Sequence, residues 1–125
     1  MTVLMIAIGG ALGAVARYLM VGGAARVLGA GFPFGTLAVN VIGSFAMGIA
    51  VAILIDREGV AHWAMPLVTT GFLGGFTTFS AFSLDAYVLA EGGRWSAVLV
   101  YGAVSVFVSF AALAVGITVA RMAGG

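Results

Sequence analysis

The chain has 125 residues, of which 63% are hydrophobic and 7% charged, and its net charge is +1. A soluble domain carries about 25% charged residues, so this composition cannot clothe a water-facing surface and marks an integral membrane protein. The small net charge argues against nucleic acid as a partner. With no cysteine and a single histidine, His62, there is no disulfide framework and no Cys/His metal cluster.

A spanning helix needs about 20 mostly apolar residues. Four segments qualify, at about 2–28, 34–55, 63–90 and 95–119, and residues 1–125 are expected to form one four-helix transmembrane domain. The first segment is apolar from its start, with no Lys or Arg before Arg17, so it reads as a retained helix rather than a cleavable signal peptide. Gly29-Ala-Gly-Phe-Pro33 separates it from the second, where Thr36, Asn40 and Ser44 recur every fourth residue and share one helix face. Asp56-Arg-Glu-Gly59 leads to the third span, which is overlong for a single plain crossing. Glu91-Gly-Gly-Arg94 turns into the fourth, where Tyr101, Ser105 and Ser109 repeat the same spacing. Trp63 and Trp95 fall where interfacial aromatic anchors are expected.

The third span contains Gly71-Phe-Leu-Gly-Gly-Phe-Thr-Thr-Phe-Ser-Ala-Phe-Ser83. Its glycines and hydroxyl residues weaken a helix where lipid offers no water to freed backbone groups. Such a break is tolerated at membrane depth only when packed in protein or lining a polar cavity, and in transporters it marks an ion or substrate site. Unwound carbonyls there can coordinate a cation such as Na⁺, each subunit of a two-fold dimer supplying half the ligands. The pairs Gly9/Gly13, Ser44/Gly48 and Gly71/Gly75 read as close helix packing.

The polar stripes admit two readings. Hydroxyl and amide groups serve as interhelical glue at about 0.6–2 kcal/mol each, and Ser and Thr also satisfy themselves on the preceding turn. Alternatively, two aligned stripes beside a broken helix line a pathway, with Asn40 the strongest single candidate. The donors are neutral, which suits a small anion that accepts hydrogen bonds strongly. Phe79 and Phe82, at i and i+3, would offer it their positive ring edges. Fluoride fits such a lining better than large soft anions. Arg17 either draws anions into a vestibule or snorkels to headgroups. Asp85 reads as near-interfacial; Arg26, Asp56, Arg57, Glu58, Glu91, Arg94 and Arg121 read as solvated charges. No acid pair, activated nucleophile or phosphate loop supports an enzyme.

There is no lysine, and the arginines divide almost evenly between the two ends of a four-span bundle. Arg26 and Arg94 lie at one end, with Arg17 if it snorkels that way, and Arg57 and Arg121 at the other. Orientation is set by an imbalance of such residues, so this chain is expected to insert both ways up and to assemble as an antiparallel homodimer.

The stretch Gly71–Ser83 resembles the signature of the Fluc (CrcB-type) fluoride channels. Gly35-Thr-Leu-Ala-Val-Asn-Val-Ile-Gly-Ser-Phe-Ala-Met-Gly48 is similar to their second-helix motif, and Gly9-Gly-Ala-Leu-Gly-Ala-Val-Ala-Arg-Tyr18 to their opening. The resemblance implies an all-α membrane protein: a dual-topology antiparallel homodimer with a broken third helix, two fluoride pores and a central structural Na⁺. It implies Phe79 and Phe82 as pore phenylalanines, Asn40 as the pore amide and Tyr101, Ser105 and Ser109 as a polar track. Thr36 would extend the second-helix lining, Arg17 would be the vestibule arginine, and the Gly74 and Thr77 carbonyls would bind Na⁺. The implied role is passive fluoride export across the cell inner membrane. Ala81 departs from the signature, which has Thr there, and Asp85 stands where Glu is common. A small-multidrug-type antiporter would need a carboxylate in the first helix, and residues 2–20 have none. A non-transporting scaffold would explain the glycines but not the aligned stripes.

Overall fold

The computed structural model describes residues 1–124, and every regular element in it is helical. Helix α1 is Thr2–Leu28 and α2 is Phe34–Asp56. Helix α3 is a π-helical stretch, Pro66–Leu73, continued by a short α-turn, Gly74–Phe76. Helices α4, Phe79–Glu91, and α5, Trp95–Gly124, complete the chain. Four runs are long and apolar enough to cross a membrane: α1, α2, the combined α3–α4 segment Pro66–Glu91, and α5. The chain is therefore a multi-pass membrane protein.

Local chemistry sets these limits. Gly29 ends α1 at φ 85°, a left-handed conformation open to glycine, while its N–H closes the last turn on Ala25 O at 3.0 Å. Pro66 starts α3 without an N–H to give. One turn on, Thr69 donates its hydroxyl to the Met65 carbonyl at 2.7 Å. Trp63 lies in the turn before this start, and α5 runs on past residue 119 to Gly124.

Two helix pairs dominate the packing, α2 against α5 and α1 against α3. Both are glycine contacts. A Cβ on Gly13 would collide with the Phe72 carbonyl, and one on Gly71 would come within 3.1 Å of the Gly9 Cα. On the other pair, a Cβ on Gly48 would strike the Leu113 carbonyl and one on Gly116 the Phe45 carbonyl. The small-residue pairs of the sequence thus let backbone meet backbone. The third span changes partner at its break: α3 lies on α1, whereas α4 leans mainly on α5.

Two arginines read from sequence as solvated charges are exposed, and each also makes a contact at one end of the bundle. Arg94, after α4, donates to the Gly31 carbonyl in the loop after α1. At the other end Arg121 pairs with Asp56 at 2.9 Å; with the two side chains 62% and 40% exposed, the pair contributes at most about 1 kcal/mol.

Candidate functional site: a polar pathway at the helix break

The break is two residues of extended backbone, Thr77 (φ −86°, ψ 159°) and Thr78 (φ −154°, ψ 126°), between α3 and α4. In a continuous helix the Thr78 N–H would bond the Gly74 carbonyl. Here it donates to Asn40 Oδ1 at 2.8 Å, and Asn40 Nδ2 donates back to the Thr78 carbonyl at 3.0 Å. The Ala81 N–H, due to the Thr77 carbonyl, goes to the Thr78 hydroxyl at 3.1 Å, which makes Thr78 the N-cap of α4. The Gly75 carbonyl receives Arg17 Nε at 3.1 Å. Three side chains on three elements thus replace the missing helical bonds. They divert from Gly74 and Thr77 the amides that would otherwise occupy their carbonyls.

A broken helix also places two opposite dipole ends at one depth. The α4 start carries partial positive charge and the α3 end partial negative charge. An anion is favoured beside the first and a cation beside the second.

Two cavities meet at the break. One, about 380 Å³, is lined by Asn40, Ser44, Phe79, Phe82, Ser105 and Ser109, among others. The second, about 480 Å³, lies towards the α1 C-terminus and includes Arg17, Arg26, Thr36, Ala81 and Asp85 in its wall. Thr78 lines both. Phe79 and Phe82 lie with ring centroids 5.7 Å apart, and Phe79 is 78% exposed.

Two sets of hydroxyls stand in contrast. Thr69, Thr77, Ser83 and Thr118 each donate to the carbonyl four residues back. Ser105 and Ser109 have buried hydroxyl oxygens with no hydrogen-bond partner among the described residues, and both line the first cavity. A buried polar group left unpaired costs about 1–3 kcal/mol.

The expected site residues are therefore divided. Asn40, Phe79, Phe82, Ser105 and Ser109 share the first cavity, and Thr36 and Arg17 share the second. Tyr101, fully buried, turns its phenol to Asp85 Oδ2 at 3.2 Å while its ring packs 4.9 Å from that of Phe82. Asp85, read from sequence as near-interfacial, accepts this phenol hydrogen bond. It is half-buried in the wall of the second cavity, and its spacing from Ala81 and Phe82 on one helix face carried that signal. Arg26 also reaches this cavity. It follows Arg17 by nine residues, about a half-turn of rotation away, so helical spacing could not have paired them. Ala81, where the signature has Thr, lines the second cavity, so the missing hydroxyl belongs to that wall.

These features define a class: a helical multi-pass membrane protein with an interrupted span and unpaired donors at the interruption. Residues 4–117 match the family described as "CrcB-like protein, Camphor Resistance (CrcB)". The chain belongs to that family. It is 52% identical over 118 residues to a "Fluoride-specific ion channel FluC" of Chelativorans sp. (strain BNC1), covering 94% of each chain. It is 50% identical to a protein of the same description from Ruegeria sp. (strain TM1040), over 96% of this chain and 94% of that one. A third, from Cereibacter sphaeroides (strain ATCC 17029 / ATH 2.4.9), is 48% identical over 96% of this chain and 94% of its own.

Proposed function

We propose that this protein is a fluoride-selective channel, not an enzyme, that lets fluoride leave the cytoplasm passively through the cell inner membrane and so limits its toxicity. The observation that carries this reading is the pair of buried, unpartnered hydroxyls, Ser105 and Ser109, in a cavity shared with Asn40, Phe79 and Phe82. Glue residues would have found partners. Donors left unpaired beside a cavity suit an ion that must exchange its hydration shell for protein hydrogen bonds. The relatives at about half identity carry the fluoride-channel description over nearly their whole length.

Fluoride would collect in the vestibule held positive by Arg17 and Arg26 and bounded by Thr36. It would then pass the Thr78–Asn40 pair and enter the second-helix and fourth-helix lining. There the free N–H of Asn40, the two serine hydroxyls and the ring edges of Phe79 and Phe82 would replace water. Tyr101 would act from behind Phe82, its phenol held by Asp85.

The working unit is an antiparallel homodimer with two pores. Phe79 is largely uncovered, and Gly74 and Ser80 are exposed beside it at a break in a span. Irregular backbone at membrane depth needs protein cover, and a second copy supplies it. The balanced arginines support insertion in both orientations. The donor set at the break fits Na⁺: the Gly74 and Thr77 carbonyls have lost their helical amides to Asn40 and Thr78, and they lie at the negative end of α3. These two carbonyls from each subunit would hold the ion, which when bound would neutralise the converging oxygens and join the subunits.

The test is fluoride efflux from proteoliposomes, read with an ion-selective electrode, with chloride-loaded vesicles as control. Rapid fluoride release without chloride release, lost in Phe79→Ile and Phe82→Ile, is the expected result. Folded dimers that release no fluoride would overturn the reading.

A further inference from the structure

We infer that Arg17 is a positioning residue for the cation seat, holding the helix break in shape through its Nε rather than acting only as a vestibule charge. The inference rests on the proposed Na⁺ site. Gly75 is the residue between the two carbonyls' turns, and its own carbonyl lies past the reach of any α3 amide. Arg17 Nε takes it at 3.1 Å, across 58 positions of sequence. The contact is tightly built: a Cβ on Gly75 would come within 2.7 Å of the Gly10 carbonyl and 3.3 Å of the Ala14 amide, so the α3 end lies directly on α1. Arg17, three residues after Ala14, projects from the same α1 face over the break.

The carbonyls at the break are then sorted. Gly75 is occupied by α1 and Thr78 by Asn40 of α2, while Gly74 and Thr77 are relieved of their helical donors. Without Arg17 Nε, the Gly75 carbonyl would be a part-buried acceptor with no donor, and the turn would relax to find one. Relaxation there moves Gly74 directly. The guanidinium carries both duties because its Nε bonds the backbone while the two Nη groups remain for the cavity it lines.

The side-chain chemistry separates the duties. In Arg17→Gln the amide nitrogen stands the same number of bonds from the backbone as Nε, so the donor survives and the charge is lost. In Arg17→Lys the charge survives, but a methylene takes the donor's place. The measurement is thermal unfolding of the full detergent-solubilised chain across a Na⁺ titration at constant ionic strength, with choline as the replacement cation. Wild type is expected to gain stability with Na⁺. Arg17→Lys is expected to need about tenfold more Na⁺ for the same gain, and Arg17→Gln to stay close to wild type.

A wild-type curve indifferent to Na⁺ would overturn both the cation site and this role. A Na⁺-responsive wild type matched by Arg17→Lys, or Gln and Lys variants shifted together, would overturn the positioning role alone. If Arg17→Lys does not fold, Arg17→Met, lacking donor and charge, replaces it. The Gln variant must then keep the Na⁺ response that the Met variant loses. Fluoride flux supplies a second axis: a purely electrostatic Arg17 would lose flux in the Gln variant, keep it in the Lys variant and leave both Na⁺ curves unchanged.

Discussion

The third and fourth spans are both studded with hydroxyls, yet Ser105 and Ser109 of the fourth behave unlike most of the rest. Along the third, Thr69, Thr77 and Ser83 fold back onto their own helix, at 2.7, 2.9 and 3.0 Å from the carbonyl one turn earlier. Along the fourth, Ser105 and Ser109 hold buried, unpaired oxygens on residues that border a cavity. All are hydroxyl residues, and Thr77 lines the same cavity as the two serines; what differs is whether the hydroxyl closes on its own helix. A hydroxyl in a membrane helix says little by itself. One that forgoes its own backbone while buried is the feature on which the proposed pathway rests.

Four variants sharpen or break that contrast. Asn40→Leu should have the largest effect, since it strips both the N–H and the carbonyl of Thr78. A loss of about 2–3 kcal/mol in unfolding experiments, with fluoride flux abolished, is expected. Normal stability there would mean that the clamp on the break is unnecessary. Replacing Ser105 and Ser109 together by Ala should lower flux by about tenfold or more while leaving the melting temperature unchanged or raised, because two unpaired buried groups disappear. Parallel loss of stability would return these serines to the role of glue. Ser83→Ala should leave flux within about twofold and cost under about 1 kcal/mol, as the removed bond only closed on its own helix. A large flux defect in this variant would erase the distinction between the spans. The smallest effect belongs to Asp56→Ala, which opens the exposed pair with Arg121. Unfolding should shift by less than about 1 kcal/mol and by less still at high salt, with flux untouched.

Much of this was legible in the chain itself. Apolar runs of spanning length located the crossings, because lipid permits few alternatives to a helix. The glycine-rich stretch located the break. Spacing every fourth residue grouped Asn40 with Ser44 and Ser105 with Ser109, all of which the cavity unites. Tyr101 shows the limit of that method: spacing places a Cβ on a face, whereas the phenol oxygen lies a full ring beyond it and ends on Asp85. Arg26 shows another, since a long flexible side chain joins a cavity that its helical position does not face. Nor could periodicity reveal which amide bonds which carbonyl at the break. That depends on how closely α1 and α2 approach it, and thus on glycine contacts between segments distant in sequence.

The change of partner within the third span has a consequence for biogenesis. This is the least hydrophobic of the four crossings, and its latter half, α4, leans chiefly on α5, which is synthesised after it. While the ribosome is still extending the chain, α3 already has α1 to dock on, but α4 waits for a helix not yet made. The crossing is therefore expected to stay half-finished until the last span arrives. A chain stopped before Trp95 is expected to expose α4 to added protease in microsomes where the complete chain protects it, and equal protection of both would show that α4 settles without its late partner.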